Sequence, residues 1–214
     1  MFLLFYIVFF LLIAPYQAAI DSKVSSEMKS LKLNLIAAAC ENMGIGYKGD
    51  LPWRLKNELK YFSRTTKKIN DTTKKNVVIM GRKTYFGVPE SKRPLPERFN
   101  VVLTTKPEDY EFPSGVIVAK SLNEALEKIQ SPELNSQIEN VWIVGGHSVY
   151  KEAMESPYCH RIYLTRIMAE FECDAFFPPL TDNFKRVPND PDIPEEIQEE
   201  NGIKYQYQIF EKVN

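Results

Sequence analysis

The stretch Val141-Trp-Ile-Val-Gly-Gly146 is an apolar run that ends in two glycines, and a helical pattern follows from about Gly146 to Met154. Short, near-continuous apolar runs are typical of strands buried on both faces, as in a parallel sheet. Four further runs have this character, at residues 33–39, 76–80, 99–104 and 115–118. The sequence therefore predicts several buried strands in one sheet.

Helical patterns lie between these runs. Leu55, Leu59 and Phe62 repeat at helical spacing, and a second apolar repeat at residues 122–129 begins with the capping-box sequence Ser121-Leu-Asn-Glu124. Residues 161–167 and 205–210 are strand-like, and the second of these alternates in polarity like an antiparallel edge strand. The fold class predicted is α/β: a single domain with a central, mostly parallel, twisted sheet flanked by helices and a C-terminal antiparallel edge strand.

Composition limits the possible functions. A chain of 214 residues fits one domain, or one domain plus an extension. The formal net charge of −1 gives no electrostatic footprint for nucleic acid. Three cysteines and two histidines, without short-spaced pairs, argue against a metal site and against a disulfide framework.

The amino end differs from the rest of the chain. Residues 1–14 are apolar, no charge occurs before Asp21, and Gln17-Ala-Ala19 resembles a signal-peptide cleavage site. Alternatively, Met28 is the start of a complete domain that lacks this leader. We therefore expect a leader at residues 1–30 and a folded domain at residues 31–214. If the leader is used for secretion, Asn70-Asp-Thr72 becomes a glycosylation sequon.

Three glycine-containing segments could bind a ligand. Gly44-Ile-Gly46-Tyr-Lys-Gly49 matches a dinucleotide fingerprint, but Asp50-Leu-Pro52 intervenes before any helix, so a flap over a site or an ordinary surface loop fits better. Gly145-Gly146 and Gly81-Arg-Lys-Thr84 each follow an apolar strand and open a helix, where free amides and cations favour phosphate. The alternatives are a tight turn for the first and a solvated basic turn for the second.

Glu58 and Trp53 are ambiguous when taken alone. Glu58 lies between apolar residues of the predicted helix and could be a partly buried carboxylate that binds an amidine-like group. Most glutamates on helices are solvated, however, and most tryptophans serve packing. These two residues acquire a functional interpretation only from their surroundings.

Together these segments resemble the dihydrofolate reductase family, and the animal enzymes most closely. The resemblance runs in order through Asn42-Met-Gly-Ile-Gly46, Gly49-Asp-Leu-Pro-Trp53, Asn57-Glu-Leu-Lys-Tyr-Phe62, Val78-Ile-Met-Gly-Arg-Lys-Thr84, Arg93-Pro-Leu95, Val141-Trp-Ile-Val-Gly-Gly146, Thr165-Arg-Ile-Met168 and Gly202-Ile-Lys-Tyr205. It covers nearly everything after Leu31.

This resemblance implies an NADP-dependent oxidoreductase that reduces 7,8-dihydrofolate to tetrahydrofolate with NADPH, in support of one-carbon and thymidylate metabolism. Hydride would pass from the nicotinamide to the pteridine ring, and water would deliver the proton. Glu58 matches the family's active-site carboxylate, which orients and polarises the ring. Trp53 would hold a water, and Thr165 would hydrogen-bond the carboxylate.

The remaining site residues are likewise implied by the resemblance. The substrate cleft would be lined by Ile36, Leu51, Leu59, Phe62 and Val144, with Arg98 binding the substrate's glutamate carboxylate. The nicotinamide would border Ala38, Ile45, Gly49 and Asp50. The phosphates or adjoining groups would meet Arg82, Lys83, Thr84, Gly145, Gly146, Ser148 and Tyr150, and a cis peptide bond is expected between the two glycines.

Departures from the family pattern concern selectivity. Leu59 stands where phenylalanine is frequent, so antifolate selectivity is expected to differ. Thr104-Thr-Lys106 lacks an arginine often found at the adenosine 2′-phosphate, and either Lys106 or Lys120 would replace it.

The family also implies partners and a location. We expect dihydrofolate and antifolates as ligands, a monomer, and a cytoplasmic location, or the secretory pathway if the leader is used. No stable membrane contact is expected unless the leader is retained. Two rival functions remain open: a pyrimidine reductase acting on a riboflavin precursor, which would not be expected to keep Glu58 with Trp53 and Arg98, and a folate-binding module without significant catalysis.

Overall fold

The computed structural model describes residues 31–213, and the predicted leader at residues 1–30 lies outside them. The strands are β1 Leu33–Ala39, β2 Gly44–Gly46, β3 Lys75–Gly81, β4 Arg98–Leu103, β5 Val116–Ala119, β6 Ile138–Ile143, β7 Cys159–Ile167, β8 Ala175–Phe176, β9 Phe184–Val187, β10 Gln198–Glu200 and β11 Ile203–Lys212. The helices are α1 Lys56–Lys67, α2 Arg82–Gly87, α3 Leu122–Ile129, α4 Pro132–Asn135 and α5 His147–Glu155, and 3₁₀ turns occupy Glu90–Lys92 and Pro107–Asp109. In this part of the chain no helix could span a membrane.

A mixed sheet organises the domain. Its strand order is β10-β11-β7-β1-β6-β3-β4-β5, with β9 also paired to β11. The strands from β7 to β5 run parallel to their neighbours, and β9, β10 and β7 pair with β11 in antiparallel fashion. The predicted α/β fold with a central parallel sheet and an antiparallel C-terminal strand is therefore confirmed.

The position of that last strand requires a correction. We predicted β11 to be an edge strand, but β7 flanks it on one side and the short strands β9 and β10 on the other. Its alternation arises because Tyr205, Tyr207 and Ile209 are buried on one face of the sheet while the opposite face is more exposed. Alternation reports a half-solvated face and not a missing neighbour.

The hairpin that joins β10 to β11 was not predicted. Its two-residue turn consists of Asn201 and Gly202, with φ angles of 54° and 75°. Glu200 and Ile203 pair directly on either side of it. A two-residue turn with two positive φ values suits the right-handed twist of the strands, and Asn-Gly is its preferred sequence.

Helix α1 buries an unexpected face. Its buried side chains are Glu58, Tyr61, Thr65 and Thr66, whereas Leu59 remains 48% exposed. The carbonyls of Thr66 and Lys68, at the end of the helix, each accept a hydrogen bond of 2.9 Å from the buried side-chain amide (Nδ2) of Asn76 on β3. Of the predicted apolar repeat, Leu55 is buried and Phe62 packs against the core, so only Leu59 lies on a surface left open.

The capping box predicted for α3 forms only in part. The Ser121 hydroxyl accepts a hydrogen bond of 3.1 Å from the Glu124 amide, as expected for an N-cap residue. The Glu124 carboxylate, however, accepts from the Lys120 amide and not from that of Ser121. The helix begins where the sequence predicts it.

Candidate active site

A large cleft lies along the carboxyl ends of β1, β3 and β6, with α1 on one side and the loop after β2 on the other. Its volume is about 1940 Å³. Sites for one small molecule typically measure roughly 300–1,000 Å³. The cleft is therefore large enough for two ligands, and it occupies the place where open parallel sheets usually bind them.

Glu58 lies in this cleft on the first turn of α1. Its side chain is only 5% exposed, and its Oε1 accepts a hydrogen bond of 3.1 Å from the hydroxyl of Thr165 on β7. Burial raises the pKa of Glu58 from about 4.5 to about 7, and the negative charge of Glu200 adds to this rise, while the Thr165 hydroxyl opposes it. Near neutral pH the carboxyl group therefore exchanges between its charged and neutral forms.

Trp53 and Thr165, both predicted to act with Glu58, occupy different places in the structure. Trp53 lines the cleft, and its buried indole nitrogen has no hydrogen-bond partner among residues 31–213. Because buried N–H groups are nearly always paired, this one is a donor suited to a ligand or an ordered water. Thr165 is fully buried behind the carboxylate and does not line the cleft itself.

Arg98 places a buried cation in the wall of the cleft. Its Nε donates to the Pro96 carbonyl at 3.0 Å and its Nη1 to the Thr66 hydroxyl at 2.6 Å. None of the ion pairs within residues 31–213 includes it, and burial lowers its pKa to about 10, so the charge persists at neutral pH. The carboxylate of Glu97 acts on it electrostatically without forming an ion pair. A buried guanidinium without an ion-paired carboxylate favours an anionic ligand.

Apolar side chains cover the space between Glu58 and Arg98. All five residues predicted to bind the substrate's rings line the cleft: Ile36, Leu51, Leu59, Phe62 and Val144. The exposure of Leu59 is explained by this position, because an apolar side chain on a helix surface costs least where a ligand covers it. The walls suit a flat, largely apolar molecule with polar groups at its ends.

The two glycine turns meet at the other end of the cleft. The Gly81 amide donates to the Gly145 carbonyl at 2.7 Å, because β3 and β6 are neighbours. The bond between Gly145 and Gly146 is cis, as the resemblance implies, and Gly145 has a φ of 126°. A Cβ atom on either glycine would come to 3.3 Å from Thr84, and the positive φ of Gly145 in addition favours glycine at that position.

Cationic and hydroxyl side chains surround these turns. Apart from the candidates for the 2′-phosphate, every residue predicted to meet the phosphates or the nicotinamide lines the cleft: Ala38, Ile45, Gly49, Asp50, Arg82, Lys83, Thr84, Gly145, Gly146, Ser148 and Tyr150. The hydroxyl of Tyr150 donates to the Ile36 carbonyl at 2.7 Å, and the Arg82 guanidinium lies over the ring of Tyr110. Amides, cations and hydroxyls together form a donor set suited to phosphate.

The two lysines considered for the 2′-phosphate differ in position. Lys120 lines the cleft together with Thr104, whereas Lys106 is exposed outside it. Some residues that line the cleft were not predicted, notably Ser63, Pro96, Thr105, Ser121 and Phe176. Phe176 belongs to the two-residue strand β8, which pairs with β2 and has no sequence pattern of its own.

Comparison with known proteins gives the family. A family model described as dihydrofolate reductase matches residues 32–212. The dihydrofolate reductase of Aedes albopictus is 65% identical over 182 residues, which cover 85% of this chain and 98% of that protein. The Drosophila melanogaster enzyme, with the same coverage, is 57% identical. This chain belongs to the dihydrofolate reductase family.

A solved structure agrees with this assignment. Schistosoma mansoni dihydrofolate reductase superposes with a TM-score of 0.77 at 38% sequence identity, covering 85% of this chain and 98% of that one. The predicted membership of the dihydrofolate reductase family, the likeness to animal enzymes and the oxidoreductase class are thereby confirmed.

The raised pKa of Glu58 predicts a pH-dependent stability for this dihydrofolate reductase family member. Between about pH 4.5 and 7 the folded protein retains a proton that the unfolded chain releases, so this stabilising contribution is complete at low pH and is lost as pH rises through 7. Relative to wild type, Glu58→Gln should gain about 3 kcal/mol in free energy of unfolding between pH 4.5 and pH 8.

Urea denaturation of the ligand-free proteins at both pH values would measure this gain. Glu155→Gln, a change at an exposed position of α5, is the matched control and should show the same difference from wild type at both pH values. A stability difference for Glu58→Gln that does not vary with pH would contradict the burial argument.

Proposed function

We propose that this protein reduces 7,8-dihydrofolate to 5,6,7,8-tetrahydrofolate with NADPH. The observation that carries the proposal is the buried carboxylate of Glu58, which is held by Thr165 and faces a cleft large enough for substrate and cofactor. Family membership supports the same activity. Tetrahydrofolate made in this way would supply one-carbon and thymidylate metabolism.

Glu58 is proposed to orient and polarise the pteridine ring. A carboxylate accepts two hydrogen bonds from an amino group and the adjacent ring N–H, and its negative charge favours a protonated, electron-poor ring. Because the pKa of Glu58 lies near 7 in the free protein, pairing with such a donor would shift it toward the charged form. The proton is proposed to arrive through water held by Trp53.

Arg98 and the apolar walls are proposed to fix the remainder of the substrate. The aromatic and aliphatic side chains of Phe62, Leu59 and Ile36 would cover the pteridine and benzoyl groups. Arg98 would bind the glutamate α-carboxylate, because within residues 31–213 its Nη2 makes no hydrogen bond and its guanidinium forms no ion pair. This pairing would relieve the cost of burying the guanidinium.

The joined glycine turns are proposed to hold NADPH, which when bound supplies the hydride. Arg82, Lys83, Thr84, Ser148 and the amides beside Gly146 fit its phosphates through charge and hydrogen bonds. Ala38, Ile45, Gly49 and Asp50 would border the nicotinamide. Of the two candidate lysines, Lys120 is proposed to bind the 2′-phosphate together with Thr104, because Lys120 and Thr104 both line the cleft.

The context of the enzyme is a further part of the proposal. The chain is proposed to act as a monomer that binds antifolates in the substrate half of the cleft. Residues 1–30 are proposed to be a leader outside the reductase domain, a division supported by the family match beginning at residue 32. The family expectation places the enzyme in the cytoplasm, and use of the leader would place it in the secretory pathway.

Replacement of Glu58 tests the mechanism. Glu58→Gln keeps the size and the Thr165 contact but removes the charge, so kcat/KM for dihydrofolate at pH 7 should fall by about 10²–10³, the usual loss for one electrostatic stabiliser. NADPH oxidation followed at 340 nm measures this loss. Glu155→Gln should retain wild-type activity. An unimpaired Glu58→Gln would contradict the proposed role of Glu58 in polarising the pteridine ring.

Replacement of the two lysines tests cofactor recognition. The wild-type protein should prefer NADPH to NADH in kcat/KM, and Lys120→Gln should reduce that preference about tenfold through loss of one charge-assisted contact. Lys106→Gln is the matched control, because Lys106 lies outside the cleft, and it should leave the preference unchanged. Similar kcat/KM values with both cofactors in the wild type, or an equal effect of the two substitutions, would refute this assignment.

A further inference from the structure

Helix α1, which carries Glu58, has no capping side chain of its own. Leu55 occupies its N-cap position and makes no side-chain hydrogen bond. The carboxylate of Glu200, on β10, caps the helix instead. Glu200 accepts hydrogen bonds of 2.8 Å from the amides of Lys56 and Asn57, one with each oxygen. The helix start is therefore fixed by a residue more than 140 positions away in sequence.

The turn after Glu200 strengthens this contact. Asn201 Nδ2 donates to the carbonyl of Arg54 at 3.0 Å, so the hairpin holds the chain just before the helix as well as its first amides. The positive φ values of Asn201 and Gly202 place this turn tightly at the end of the hairpin. The hairpin thus forms hydrogen bonds to Arg54, Lys56 and Asn57, in the segment immediately before Glu58.

The same strands reach Glu58 from its other side. Strand β11, which forms the hairpin with β10, pairs with β7 through Tyr207 and Thr165. Thr165 donates the hydrogen bond to Glu58. The carboxylate of Glu58 therefore lies between a helix start held by Glu200 and a hydroxyl held by the neighbouring strand.

We propose that Glu200 is a positioning residue for the reductase reaction, which fixes the first turn of α1 and thereby the placement of the Glu58 carboxylate in the cleft. The inference rests on the proposed role of Glu58. Glu200 does not line the cleft, so it acts through the helix and through its charge and not by contact with substrate.

The charge of Glu200 gives this role a distinctive signature. Within residues 31–213, the other titratable groups that act electrostatically with Glu58 are Tyr61 on its own helix, Tyr150 on α5, and Tyr205 and Tyr207 on β11. Burial raises the pKa of all four tyrosines, so they are neutral near pH 7. Burial is the main cause of the raised pKa of Glu58, and the negative charge of Glu200 adds to it.

Glu139 offers a matched control. It also lies half-buried on a strand, and its carboxylate accepts hydrogen bonds from the amides of Asn70 and Asp71, yet it does not line the cleft or act on Glu58. Replacement of either glutamate by glutamine removes one charge and one acceptor oxygen, although Glu139 also accepts hydrogen bonds from the side-chain amides of Asn70 and Asn140. Both variants should lose a few degrees in Tm, about 2–4 °C for the lost hydrogen bond.

The test is the pH profile of kcat/KM for dihydrofolate in wild type, Glu200→Gln, Glu200→Asp and Glu139→Gln. Ionisation of Glu58 should give the wild-type profile a limb near pH 7. Glu200→Gln should lower kcat/KM about fivefold, which corresponds to the free energy of one lost helix cap. Because it removes a negative charge that raises the pKa of Glu58, Glu200→Gln should also move this limb to lower pH. Glu200→Asp keeps the charge on a shorter side chain, so it should lower kcat/KM while the limb remains near its wild-type position. Glu139→Gln should leave both the limb and kcat/KM unchanged.

Three results would overturn the proposal: an unmoved limb in Glu200→Gln, an equal displacement in Glu139→Gln, or a wild-type kcat/KM in Glu200→Asp. If Glu200→Gln does not fold, Glu200→Asp decides, and a wild-type kcat/KM in that variant overturns the proposal. Glu58→Gln measured in the same assay separates the two hypotheses. If Glu58→Gln is unimpaired, the proposed function of Glu58 fails; if it is impaired and the Glu200→Gln limb is unmoved, only the role of Glu200 fails.

Discussion

The burial of one carboxylate constrains the rest of the site. Glu58 is nearly inaccessible to water, and within residues 31–213 a single hydroxyl, that of Thr165, donates to it. A charged carboxylate in such surroundings is costly unless further donors reach it. The group is therefore poised between its two forms near neutral pH and gains most from a ligand that presents N–H donors.

Such a carboxylate is useful only if its backbone is fixed, and α1 is held at both ends. The Asn76 amide binds the last carbonyls of the helix, and the Glu200 carboxylate binds its first amides. Both contacts come from strands of the central sheet, so the position of the helix is fixed relative to the sheet that carries Thr165. The sheet also brings the glycine turns after β3 and β6 together, which places a phosphate-binding surface in the same cleft as the carboxylate.

Much of the fold is readable from local pattern, because buried parallel strands require continuous apolar runs. Strand β1 matches its prediction at both ends, and β3, β4, β5 and α3 lie within one residue of theirs. The edge assignment of β11 was wrong because polarity alternation reports which face is solvated. The Asn201-Gly202 turn carried a recognisable hairpin signal, but the short β10 before it lacks the apolar residues that would have drawn attention to it.

The site was harder to predict, because its residues act through partners distant in sequence. Glu58 alone resembled a solvated helix glutamate, and only the resemblance to a family singled it out. Its raised pKa depends on burial and on Glu200, neither of which spacing reveals. The choice between Lys106 and Lys120 likewise depends on where a loop carries each side chain. The family resemblance could identify positions, whereas the cap by Glu200 required the three-dimensional contacts.

The central claim is that the cleft holds a buried, structurally fixed carboxylate at position 58. Its most direct test is a ¹³C NMR titration of protein labelled at the glutamate side-chain carboxyl carbons, with the Glu58 signal assigned by its loss in Glu58→Gln. The account predicts a midpoint near pH 7 in the ligand-free protein. A midpoint near 4.5, the value of an ordinary solvated glutamate, would contradict it.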